Sequence, residues 1–320
     1  MPNGSGSSPH REAPAVADPV VTHALGKLFG TTHALEDVSL RVPLGQAAGL
    51  VGSNGAGKST LLRILVNLVP PSTGRAELLG RDTRAIEASI FERVGYMAEG
   101  QRLPRVSTMR DLLDYCRPFY ARWDDALATR LLRTLDLPAT TSLTAASRGT
   151  RMKAALVATL AFHPEVLILD EPLEGLDPLT RDQVVDGLLE LVSAEGTTLL
   201  LASHDLDVLE RLLDRVAMLH DGRLVFDEPL DVLQARYRLV ELSGNPGPDP
   251  SRLPPGSLDV RRTPDGLQFL TTEFDEHATA ARLADTFPGA TLRISRPALR
   301  EAFVAHARTL REAASPRGAA

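Results

Sequence analysis

The chain has 320 residues, 43% of them hydrophobic and 24% charged, with 35 basic against 41 acidic side chains and a net charge of −6. That length holds one large domain with an appendage, or two domains, and either can bury a core. The mild acidic excess gives no electrostatic case for a nucleic-acid partner, and Cys116, the single cysteine, excludes an internal disulfide and a thiolate metal cluster.

Residues 1–18 are rich in Gly, Ser and Pro and lack the apolar core of a signal peptide, so a disordered tail is expected there. No apolar run approaches the roughly 20 residues of a membrane helix, and nothing is expected to span a bilayer. From 19 to 240, short apolar runs alternate with helical spacing, which predicts an α/β domain with a mainly parallel sheet. Ala47 to Val51, Val166 to Leu169 and Thr197 to Ala202 have the composition of parallel strands buried on both faces. Arg215 to Leu219 and Arg223 to Phe226 flank Asp221 and Gly222, a hairpin signal.

Between about 102 and 160, the stretches Asp111 to Tyr120, Trp123 to Leu135 and Ser147 to Ala161 have helical spacing with no strand between them. A helical subdomain inserted in the α/β body is the expectation. Tyr115, Phe119, Tyr120 and Trp123 crowd together there; they form that subdomain's core, or some of them stand exposed and receive a helix of a partner. A Pro- and Gly-rich run at 241–256 predicts a linker. Beyond it, a strand pair around Thr263 to Gly266, a helix near Glu276 to Phe287, a strand at Ala290 to Ile294 and a helix from Ala298 to Arg311 predict a small α+β accessory domain over 257–312, then a tail at 313–320.

The run Gly52-Ser53-Asn54-Gly55-Ala56-Gly57-Lys58-Ser59 fits the phosphate-binding pattern GxxxxGK[ST], between a predicted strand and a predicted helix. Its glycines let the backbone curl so that successive N–H groups face an anion. Lys58 is then expected to reach the β and γ phosphates of a nucleoside triphosphate and Ser59 to offer an oxygen to Mg²⁺; the loop alone is shared by kinases, GTPases and transport ATPases. Asp170 and Glu171 end the apolar run from Val166, and strand ends line the ligand crevice of an open parallel sheet. There Asp170 is placed to hold Mg²⁺ through water, and Glu171 to polarise the attacking water. A third apolar run ends at Ser203, His204 and Asp205, which brings the His204 imidazole toward the same phosphates.

Order and spacing together make the chain resemble the ATP-binding-cassette family over about residues 20 to 238. Gly52 to Thr60 resembles its Walker A loop, Val166 to Glu171 its Walker B strand with the catalytic glutamate, and Gly175 to Asp177 its D-loop. The resemblance makes His204 the switch histidine and Phe29, placed before the first strands, the ring that stacks on adenine. It implies a P-loop NTPase fold with a mainly parallel sheet, an antiparallel β portion and an inserted helical subdomain.

Two motifs depart from the family pattern. Where LSGGQ is usual stands Ala146-Ser147-Arg148-Gly149-Thr150, which keeps Ser147 and Gly149 for the γ phosphate held by an opposite subunit and adds the cation Arg148. Glu99 takes the place of the Q-loop glutamine, with Gln101 two residues on; either can serve the Mg²⁺ or water. The stretch Phe119 to Asp124 resembles a prokaryotic exporter branch. The resemblance implies a homodimer closed head to tail on two ATP molecules, a separate integral membrane permease as partner, and the cytoplasmic face of the cell membrane as location. Two other readings share the phosphate loop: a small-acceptor kinase, told apart by hydrolysis without an acceptor, and a non-transport cassette ATPase acting on a cytoplasmic complex.

Overall fold

The computed structural model describes residues 18–204, 206, 210–244, 248–275 and 278–314. Of the tails expected at 1–18 and 313–320, residues 1–17 and 315–320 lie outside the described residues, as do Asp205 and Glu276.

An antiparallel sheet opens the chain: β1 (Val20–Phe29) pairs with β2 (Thr32–Val38), β3 (Arg41–Val42) and β5 (Thr73–Leu78), and β5 pairs with β6 (Arg81–Asp82). Lys27 to Gly30 therefore do not precede the first strands, as expected from sequence. They form the end of β1 and its turn, where Gly30 has φ 59°.

The second sheet carries the chemistry. Its order is β11-β10-β4-β9-β8-β7, built from β4 (Ala47–Val51), β7 (Val94–Met97), β8 (Val166–Asp170), β9 (Thr198–Ala202), β10 (Arg215–His220) and β11 (Arg223–Pro229). All neighbours from β10 to β7 run parallel, and β11 joins antiparallel at the edge. Every residue of β4, β8 and β9 is buried, as unbroken apolar runs require when both faces are covered. The β10–β11 hairpin turns at Asp221 and Gly222 with φ 46° and 76°, the positive values a tight two-residue turn needs.

Helix α1 (Lys58–Leu65) follows β4 after the loop 52–57, and α2 (Ala88–Phe91) precedes β7. The helical stretch holds α3 (Met109–Cys116), α4 (Asp125–Thr134) and α5 (Arg148–Leu160). Local chemistry sets their starts. Thr108 and Asp111 form a reciprocal capping box on α3, Asp124 accepts from the N–H groups of Ala126 and Leu127 on α4, and Ser147 caps α5. Cys116 ends α3 earlier than expected because a short 3₁₀ turn containing Pro118 takes over at Arg117–Phe119. Helix α5 rests on β7, α3 and α4. Helix α6 (Pro178–Glu195) starts at the N-cap Asp177 with Pro178 in its first turn and stops at Gly196 in the left-handed region.

After α7 (Leu230–Arg236) comes a third, antiparallel sheet of order β13-β14-β12-β15: β12 (Arg238–Ser243), β13 (Ser257–Thr263), β14 (Gly266–Thr271) and β15 (Thr291–Ser295). Its inner strand β12 begins at Arg238, so Glu241 to Ser243, expected as linker, are strand residues instead. The alternation of buried and half-buried positions in β12 was masked in the sequence by the Pro-rich run behind it. Helix α8 (Ala278–Thr286) covers this sheet with Leu283, in a core that includes Phe269 and Phe287. Helix α9 (Leu299–Ala314) runs two residues into the stretch expected as a tail; its Leu299, Ala302 and Ala305 are buried in the core shared with Tyr237 and β10. Among the described residues no helix is long and apolar enough to cross a membrane.

Candidate functional site

Register explains how distant residues meet. Leu50 of β4 and Asp170 of β8 both pair with Ala202 of β9, so the carboxyl ends of these strands lie in one row. The residues that follow each strand emerge side by side, as expected at the crevice of a parallel sheet. A cavity of about 380 Å³ opens there, lined by Asn54 to Thr60, Glu99, Glu171, Glu174, His204 and Ala34.

The loop before α1 is shaped by backbone crowding. Gly57, the N-cap of α1, has φ 105°, and a Cβ there would stand 2.5 Å from the Ala34 carbonyl. At Gly52 a Cβ would meet the Leu219 carbonyl at 2.5 Å. Both positions therefore admit only glycine without displacing backbone. Lys58 is buried and curls back over the loop, its ammonium donating to the Gly52 carbonyl at 2.8 Å and standing 4.0 Å from Glu171 Oε1. Burial pushes the Lys58 ammonium below its ordinary range, against the pull of Glu171, Asp170 and Glu99.

Asp170 is fully buried, and neither of its carboxylate oxygens has a hydrogen bond of sound geometry. Burial raises its carboxyl above the usual range; the Ser59 hydroxyl beside it favours the charged form, while Glu171 and Glu99 oppose it. A buried carboxylate with two unmet oxygens next to a serine hydroxyl fits Mg²⁺, which takes few protein ligands and completes its shell with phosphate and water. Among the described residues no group of three or more His, Cys, Asp or Glu could hold a metal alone.

Glu171 is buried with φ 50°, a left-handed conformation that costs a non-glycine residue about 1–2 kcal/mol. Its N–H is tied to the Ala202 carbonyl at 2.9 Å, and its Oε2 lies 2.9 Å from Nδ1 and 3.3 Å from the backbone N–H of His204. The strain therefore holds a carboxylate at the cavity wall between Lys58 and His204. Strained backbone at such a place points to function.

The structure leaves the other expected residues outside this cavity. Phe29 is half exposed at the end of β1 with the Lys27 ammonium 4.9 Å above its ring. Gln101 accepts from the Ala98 N–H and lines a neighbouring groove with Arg102 and Arg151, whereas Glu99 faces the cavity. Ser147 and Asp177 each cap their own helix, accepting from the N–H groups of Thr150 and Thr180, and Gly149 packs 3.3 Å, measured from a built Cβ, against the Gly175 carbonyl. Ala34 and Glu174 were missed. Ala34 carries no side-chain signal, and Glu174 is legible only as a further acid just after Glu171.

Comparison with known proteins gives the family and the fold. The ABC transporter family matches residues 35–174. The Daunorubicin resistance ATP-binding protein DrrA3 of Streptomyces coeruleorubidus is 36% identical over 226 residues, which cover 69% of this chain and 71% of that one. The Aliphatic sulfonates import ATP-binding protein SsuB of Mycobacterium avium is 36% identical over 212 residues, 64% of this chain and 79% of that one. A solved ATP binding subunit of an ABC transporter superposes with a TM-score of 0.62 at 28% identity, covering 68% of this chain and 92% of the other.

Proposed function

This chain belongs to the ABC transporter family as an ATP-binding subunit, an ATPase that powers transport, and we propose that it drives export through a separate membrane permease, as a dimer of identical chains on the cytoplasmic face of the cell membrane. One observation carries the catalytic part: Lys58, Glu171 and His204, from the ends of three adjacent strands, share one cavity.

In this reading the backbone N–H groups of Gly52 to Thr60 and the positive end of α1 hold the phosphates of ATP. Lys58, already desolvated, needs only to exchange its carbonyl partner for a phosphate oxygen. Ser59 and Asp170 would hold Mg²⁺, with Glu99 also lining the cavity. A bound Mg²⁺ would supply positive charge against the polyphosphate. Glu171 accepts a proton from the attacking water, and His204 fixes that carboxylate through Nδ1. Phe29 offers an exposed ring to adenine.

The dimer is supported by what lies outside the cavity: Ser147, Gly149 and Asp177 do not line it in their own chain, which fits a role toward a nucleotide held by another copy. Export is supported by the drug-resistance relative and by the stretch from Phe119 to Asp124. The exposed Tyr115 and Phe119, half or more accessible, fit docking by the permease, while the half-buried Tyr120 stacks 3.8 Å from the buried Phe162. The test is purification of the full chain: Mg²⁺-dependent ATP hydrolysis without an acceptor and co-purification with an integral membrane protein are expected. Failure to hydrolyse ATP would sink the enzymatic reading; assembly with a cytoplasmic complex instead would sink the permease.

A further inference from the structure

The cavity wall carries an acid that this mechanism does not use. Glu174 lines the cavity beside Glu99 and Glu171, and the lining residues hold one lysine, Lys58, and no arginine. A triphosphate entering there meets three carboxylates. Glu174, however, is not a bare charge: its Oε2 accepts a 2.5 Å hydrogen bond from Nη2 of Arg148.

Arg148 comes from the helical stretch, as the first residue of α5 beside the cap Ser147. It stands where the family pattern has glycine. Its stem lies along the Gly175 backbone, with Cδ and Cγ 3.4 and 3.8 Å from a Cβ built there, which holds the guanidinium over the Glu174 turn.

We propose that Arg148 is a positioning residue that acts through Glu174: by neutralising that carboxylate it sets how tightly the cavity holds the polyphosphate of a nucleoside triphosphate. The inference rests on the reading of the cavity as an ATP site and adds a residue to it. One unit charge several ångströms from a polyphosphate, in a partly wet and salt-screened site, shifts affinity by about three- to tenfold.

The sign of the effect separates this role from a merely structural ion pair. In the full chain, R148A leaves Glu174 uncompensated and is expected to weaken ATP binding about three- to tenfold, with KM rising and kcat little changed. E174Q leaves the guanidinium in excess and is expected to tighten binding. The R148A/E174Q double variant returns to the wild-type Kd, and R148K, which keeps the charge, retains most of the affinity. Kd is read with a fluorescent ATP analogue, independently of turnover, and thermal melting checks that each variant folds. If both single variants weaken binding and the double variant is no better, the pair is structural and the proposal falls. It also falls if R148A lowers kcat at constant KM without rescue by E174Q, because Arg148 then acts on the phosphate directly. A wild-type chain that binds ATP without hydrolysing it breaks the turnover reading alone; one that binds no ATP breaks both.

Discussion

Two regions of the molecule bury ionisable groups, and they do so in opposite ways. Where α9 meets α7, Tyr237 and His306 are partners: the phenol lies 2.8 Å from His306 Nε2, with Phe226 packed 5.3 Å from the imidazole ring centre. Burial pushes the tyrosine up to about 12 and, with Arg236 nearby, the histidine down to about 4, so both are neutral and mutually satisfied. At the candidate site neither oxygen of Asp170 has a hydrogen bond of sound geometry, Glu171 is held at positive φ, and Lys58 is desolvated among acids. Burial with satisfaction builds a joint. Burial without it marks a place that waits for a charged ligand.

The sharpest way to test this contrast is Glu171→Gln, which removes the proton acceptor and keeps the shape. Hydrolysis is expected to fall by about 10²- to 10⁴-fold, with ATP trapping a dimer in sedimentation. A variant that stays monomeric with ATP would break the shared-site reading.

Asp170→Asn should separate activity from stability. Mg²⁺-dependent hydrolysis is expected to disappear, while the nucleotide-free protein gains about 1–3 kcal/mol because a buried, poorly satisfied charge is gone. A fall in melting temperature instead would mean that Asp170 is as well satisfied as His306, and the contrast would fail.

The joint should respond to pH in the opposite sense to a histidine ion pair, whose raised pKa makes its stabilisation disappear as pH rises. His306 has a folded pKa of about 4 against an ordinary 6.5, so the unfolded chain binds the extra proton first as pH falls. The stabilisation is complete above about 6.5 and is lost between 6.5 and 4, at most roughly 3 kcal/mol. Urea unfolding across that window, flattened in His306→Gln, checks it. The smallest effect belongs to Tyr237→Phe: a loss of about 1 kcal/mol from the missing hydroxyl partner, with KM for ATP unchanged. A changed KM would tie the joint to the cavity.

Much of the site could be read along the chain because its determinants are local. The glycines of the phosphate loop, the buried runs of β4, β8 and β9, and the acids and imidazole that close them each follow from a few consecutive residues. So do the helix caps at Asp124, Ser147 and Asp177. The linker expected at 241–256 was misjudged at its start because Pro and Gly spoke louder than the short alternation of β12. Phe29 was placed before the strands because one aromatic residue carries no information about a turn.

What local pattern determined, then, was chemical identity: which residues can bind phosphate, carry a metal or accept a proton. Tertiary structure alone decided their distances. That β9 lies between β4 and β8, that Ala34 and Glu174 wall the cavity, and that Arg148 reaches Glu174 are consequences of strand order and helix docking. Such contacts join residues far apart in the chain, and no short-range periodicity encodes them.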